Sequence, residues 1–104
     1  MEWKSEESKK LIKAVLALES EDEAKRFLRD LMTEKEIDEF AKRLRTAEML
    51  MENISYSSIE KETGLSSTTV SRVAKWLNRE GGGYKTIIER LHHHNRIQSR
   101  RGLS

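Results

Sequence analysis

At 104 residues, 36% hydrophobic and 37% charged, the chain has room for one domain and only a modest core of its own. It has no cysteine, which excludes disulfides and thiolate metal sites, and no run approaches the roughly 18 apolar residues of a membrane span. The start is polar and mixed in charge, unlike a signal sequence, so a cytoplasmic protein with no membrane partner is expected.

Absence of proline, and glycines clustered only at Gly81-Gly82-Gly83, leave little to interrupt helices, so the expected fold class is all-α. Leu11, Ile12, Val15, Leu16 and Leu18 make the apolar stripe of a first helix ending near Glu19-Ser20. Ser20 and Glu23 then fit a capping box that opens a second helix, with Phe27, Leu28, Leu31 and Met32 on its apolar side. Thr33 and Glu36 repeat the box ahead of a third helix over about residues 34–53. That helix carries Ile37, Phe40, Ala41, Leu44, Ala47 and Met51 on one stripe, with Leu50 and Ile54 beside it. This is more apolar surface than one short domain covers, so residues 1–54 are expected to be the dimerisation helices of an obligate homodimer.

Residues 56–77 read as two short helices hinged on Thr63-Gly64-Leu65-Ser66, the layout of a helix-turn-helix. Ile59 and Thr63 face inward on the first helix, and Leu65, Val70 and Val73 return to the core on the second. Gly64 can take the left-handed turn, and Ser66 or Ser67 can cap the second helix. Ser55, Ser57 and Ser58 are read as caps and not as nucleophiles. Thr68, Thr69, Ser71, Arg72 and Lys75 are left outward, a short polar and cationic face suited to base edges and phosphates in a DNA major groove. An ordinary helical hairpin with a serine-capped second helix is the plainer alternative.

After the glycines, Tyr84, Ile87, Ile88 and Leu91 space a final amphipathic helix over residues 84–94, which could cap a dimer core. The domain is thus expected to span residues 1–94, with 55–78 as the helix-turn-helix. Residues 95–104 are expected to be a basic, flexible tail. His92, His93 and His94 are consecutive and would point about 100° apart on a helix, so they cannot converge on one metal ion. No phosphate loop, nucleophile elbow or cofactor signature is present, and an enzyme is not expected. Charge is divided unevenly. Residues 1–54 hold 11 Lys/Arg against 14 Asp/Glu, a balance of −3, whereas residues 55–104 hold 9 against 4, a balance of +5. The basic half contains the helix-turn-helix.

The order of a long third helix, a serine-initiated helix-turn-helix and a second helix ended by Asn78 resembles the Trp repressor-like family, and within it the YerC/YecD-type branch. The resemblance is carried by Leu31-Met32-Thr33-Glu34-Lys35-Glu36, by Ile59-Glu60-Lys61-Glu62-Thr63-Gly64 leading into Thr68-Thr69-Val70-Ser71-Arg72, and by Arg79-Glu80-Gly81-Gly82-Gly83-Tyr84. It implies an intertwined all-helical homodimer that represses transcription by binding operator DNA. Its DNA-facing residues would be Tyr56, Ser57, Ser66, Ser67, Thr68, Thr69, Ser71, Arg72 and Lys75. The family's founding member uses tryptophan as co-repressor. By the resemblance, Arg43 and Arg72 match the two arginines flanking that ligand, and Thr33 matches a threonine at the pocket mouth. Val73 and Trp76, however, stand where the tryptophan-binding protein has a small glycine and serine. Tryptophan is therefore not expected to bind, and Trp76 either fills the pocket or packs elsewhere. Arg43 is more readily read as making a surface ion pair with Glu39, and Glu60 would repel phosphate if it faced the backbone, so no operator sequence carries over.

The expected function is a sequence-specific double-stranded DNA-binding transcriptional regulator, a homodimeric repressor with no cofactor and no identified small-molecule effector. The competing reading is a helical adaptor that uses the same helices to dock another protein without DNA.

Overall fold

Short hydroxyl side chains set where the helices begin. In the computed structural model, which describes the backbone of residues 1–102 and the side chains of residues 1–93, Ser5 accepts from the Ser8 amide at 3.2 Å and opens α1 (Glu6–Leu16). Ser20 accepts from Glu23 at 3.1 Å and opens α2 (Glu21–Leu31). Thr33 accepts from Glu36 at 3.1 Å and opens α3 (Glu34–Met51). Ser55 and Ser66 do the same for α4 (Tyr56–Thr63) and α5 (Ser67–Leu77). Each oxygen satisfies one of the amides that a helix start leaves unpaired. The Thr33 box is reciprocal, because Glu36 Oε1 accepts from the Thr33 amide at 3.0 Å. At Ser20 the glutamate reaches one residue further back, to the Glu19 amide at 3.1 Å. The last helix, α6, spans Gly83–Gly102. All described residues outside helices are turns or extended connections, so the fold is all-α.

Two compact units are present, residues 1–37 and 38–104. In the first, no residue of α1 or α2 is buried. Leu11, Ile12, Val15, Leu16, Leu28 and Leu31 all remain exposed, with Leu16 at 79%. Helix α1 ends at Leu16, capped by the Ala17 amide, sooner than the apolar stripe suggested.

In the second unit, α3, α5 and α6 meet around Ala47, Val73, Leu77 and Ile88, with Leu44, Trp76 and Tyr84 packed against them. A neighbouring cluster joins α3, α4 and α5 through Met49, Ile59 and Val70. Leu50 touches both clusters. Each fully buried aliphatic side chain is worth about 1.5–3 kcal/mol, so these two clusters are what hold α4 and α5 on α3. Asn53, at φ 62, turns the chain out of α3, a conformation that asparagine tolerates better than most residues. Phe40, Ile87 and Leu91 stay 41–46% exposed, although their spacing placed them on inward stripes. Periodicity marks an apolar face but does not supply the surface that covers it.

Helix α6 continues eight residues past the expected end at 94, since nothing between His94 and Gly102 breaks a helix. The side chains of the expected basic tail, and His94, lie outside the described residues.

Two expectations follow from this packing. Gly64 sits at φ 75 with nothing within 4 Å of an added Cβ, so a substitution there meets backbone cost alone. Gly64→Ala should destabilise the fold by about 1 kcal/mol and Gly64→Asn by less, read as a shift in the urea midpoint. Burial pushes the Tyr84 phenol above the ordinary tyrosine range, and the nearby Arg43 charge partly offsets that. A raised folded-state value means that the stability is present below the ordinary tyrosine range and is lost as pH rises through the Tyr84 value. In a Tyr56→Phe background, ultraviolet titration should show this late ionisation, moved later still by Arg43→Gln.

Candidate nucleic-acid interface

The turn between α4 and α5 is built by three consecutive devices. Thr63 is buried, donates its hydroxyl to the Ile59 carbonyl at 2.7 Å and accepts from the Leu65 amide at 3.2 Å. Gly64 then takes the left-handed conformation while its amide donates back to Glu60 at 2.8 Å. Ser66, not Ser67, is the cap of α5, and its hydroxyl also lies 3.0 Å from that of Thr69. The sequence marked Thr63 as an inward residue at the start of the hinge, and only its hydroxyl bonds across the turn were missed. The signal was there, because a threonine hydroxyl often bonds the carbonyl four residues back.

From that start α5 buries Val70, Val73, Ala74 and Leu77. Ser67, Thr68, Ser71, Arg72 and Lys75 are exposed and Thr69 is half-buried. At the start of α4, Ser57 is exposed and Tyr56 is 46% exposed, bordering a groove that also contains Asn53, Asn78 and Lys85. Arg72, Lys75 and Arg79 line one open hollow of about 620 Å³ together with Trp76. Among the described residues, none of these three cations has a carboxylate within 4 Å, whereas Lys42, Arg43 and Arg45 pair with Asp38, Glu39 and Glu62. Arg79 was not among the expected DNA-facing residues. It lies two residues beyond the end of α5, in the turn after the Asn78 cap, so helical spacing from Arg72 does not place it.

The three residues matched to a ligand pocket are occupied differently. Thr33 is engaged in its capping box, with its hydroxyl 3.0 Å from Glu36 Oε1. Arg43 pairs with Glu39 at 3.4 Å, as the plainer reading held, and also sits over two aromatic rings, 5.3 Å from the centroid of Phe40 and 5.6 Å from that of Trp76. Arg72 is exposed beside Trp76. Val73 is fully buried in the core, and Trp76 is half-buried against it. His92 approaches Glu48 at 3.5 Å, and among the described residues no three His, Cys, Asp or Glu side chains cluster as a metal site would require. No helix among them is long and apolar enough to cross a membrane.

Comparison with known proteins agrees with this architecture. The family model of the Trp repressor protein matches residues 6–92. The YerC protein of Bacillus subtilis (strain 168) is 39% identical over 88 residues, covering 85% of each chain. A solved TrpR-like protein from Eubacterium eligens superposes with a TM-score of 0.81 at 38% identity, over 86% of this chain and 93% of that one. A structure from Staphylococcus aureus gives 0.78 at 33% identity, over 88% and 95%. Helix order, the glycine-hinged α4–α5 pair and these likenesses together show that the chain belongs to the Trp repressor family of helix-turn-helix regulatory proteins, in its YerC-type branch.

Proposed function

We propose that the chain is a cytoplasmic, sequence-specific double-stranded DNA-binding protein that acts as a homodimeric transcriptional repressor. The observation that carries this reading is the outer face of α5. Hydroxyls from Ser67, Thr68, Thr69 and Ser71 lie beside Arg72 and Lys75, cations with no carboxylate partner among the described residues. Hydroxyls and guanidinium groups are the donors that read base edges and bind phosphates, and an unneutralised cation keeps its full attraction for the DNA backbone. The α4 start with Tyr56 and Ser57, and the cap at Ser66, would approach the flanking phosphates.

Homodimerisation is supported by the apolar faces that α1 and α2 leave bare. Six large aliphatic side chains there remain 37–79% exposed, and burying the rest of each, a share of the roughly 1.5–3 kcal/mol of full burial, is together of the same order as an association cost of about 4–15 kcal/mol. A two-fold pair of α5 helices would enter successive major grooves about 34 Å apart and favour a palindromic site. Tryptophan is not the co-repressor in this reading. Val73 belongs to the core, and the Trp76 indole already lies over the Arg43 guanidinium.

Duplexes selected from a random library should be bound with an affinity that falls steeply with salt. Arg72→Ala should cost about 1–3 kcal/mol on the selected site if Arg72 reads a base. A phosphate contact would instead give a uniform loss and a salt slope smaller by about one. Indifference of the protein to duplex and salt alike would turn the reading towards a protein-docking adaptor. Sedimentation equilibrium at micromolar concentration should give twice the 12.2 kDa chain mass, and a well-folded monomer would refute the dimer.

A further inference from the structure

Arg43 stands where three helices meet. It rises from α3, lies over the Phe40 ring at 5.3 Å and the Trp76 ring of α5 at 5.6 Å, and its charge acts on the Tyr84 hydroxyl of α6. Its side chain is 29% exposed, and its Nε is fully buried with no hydrogen-bond partner among the described residues. A guanidinium ordinarily directs all five N–H groups to acceptors, and leaving one dry is costly. The compensation on offer is the pair of aromatic faces, whose attraction for a cation strengthens as water is excluded.

The same contact governs how α5 is held. Helix α5 approaches α4 and α6 closely along its backbone, but α3 reaches it through side chains. Ala47 shares a core cluster with Val73, and one turn away along both helices Arg43 lies over Trp76. Aliphatic contact turns the apolar face of α5 inward but tolerates a range of rotations about the axis, since the hydrophobic effect has no direction. The stack of guanidinium on indole is directional. Trp76 is one turn from Arg72 and adjacent to Lys75, so whatever fixes the rotation of Trp76 also fixes the outward cations.

We propose that Phe40, Arg43 and Trp76 form a permanent clasp that sets the rotation of α5, so the DNA-binding pose is built into the fold and needs no small molecule to create it. Arg43 and Trp76 are positioning residues, and the proposal rests on the reading of α5 as the DNA-facing helix. Wild-type protein, dialysed free of small molecules, should bind its selected duplex fully. Trp76→Ala should lose affinity about tenfold with an unchanged salt slope, and millimolar indole should restore most of it by refilling the space over Arg43. Trp76→Phe, which keeps a ring, should stay within about threefold of wild type. Arg43→Gln should lose as much as Trp76→Ala, and the double variant no more than either alone, because the two residues act as one unit.

A folded Trp76→Ala protein that binds as tightly as wild type would overturn the clasp and leave the DNA reading standing. So would a loss in Arg43→Gln accompanied by a salt slope smaller by about one, which would put Arg43 on a phosphate. Wild-type protein that retains no duplex would remove the DNA reading, and the clasp with it. If Trp76→Ala fails to fold, Arg43→Gln and Trp76→Phe decide by the same criteria.

Discussion

An eleven-residue helix has to do two incompatible things at once: keep one side dry and offer the other side unpartnered. Everything else in the second unit serves that division of α5. Val70, Val73, Ala74 and Leu77 make the dry side and leave no polar atom of their side chains to satisfy. Such a short helix is not stable by its own propensity, and its order comes from the face it buries. Its start is therefore tightly specified. The Thr63 hydroxyl, the left-handed Gly64 and the Ser66 cap fix in turn where α4 stops, how sharply the chain bends and which residue begins α5. A slip of one residue would turn every side chain of α5 by about 100°, and in one sense would put Arg72 at the buried position of Val73.

This dependence explains why so much was legible in the sequence. Caps, a turn glycine and a 3.6-residue period are local rules, and the Thr33 box, the glycine hinge and the inward residues Ile59, Val70 and Val73 all obey them. What local rules cannot see is contact between residues far apart in the chain. Arg43 and Glu39 are one turn apart and were readable as a pair. Trp76 is 33 positions from Arg43, and nothing in either neighbourhood announces the stack. The same blindness separates an apolar stripe from a buried one. Leu16 and Val73 look alike by spacing, yet one is 79% exposed and the other fully buried. Among the candidate DNA-facing residues, the exposure of Thr68, Ser71, Arg72 and Lys75 followed from the inward face, as the remainder of a helix whose core side is known.

The charges follow a similar division. On α2 and the first half of α3, cations lie one turn after acids, as with Lys25 and Glu21, Arg26 and Asp22, or Lys42 and Asp38. Exposed pairs of this kind add little stability, about 0.3–0.5 kcal/mol each. Their larger effect is on the field around the molecule, which they flatten. Helix α5 contains no acid at all, so Arg72 and Lys75 have no partner one turn away, and Arg79, in the turn beyond its end, lines the same hollow.

That contrast gives the chain a polarity that total charge conceals. A net charge of +2 would steer a polyanion weakly and without orientation. Fourteen acids in residues 1–54, six of them paired with a lysine or arginine, against only four in residues 55–104 direct the attraction to the stretch that carries α5. A polyanion would be drawn to that half and given little reason to settle on α1 or α2. Their bare aliphatic stripes are then left for apolar contact, which salt screens hardly at all, while contact at α5 weakens as salt rises. Association through the first half and nucleic-acid binding through the second would therefore respond to different variables. Ionic strength is the lever that separates them.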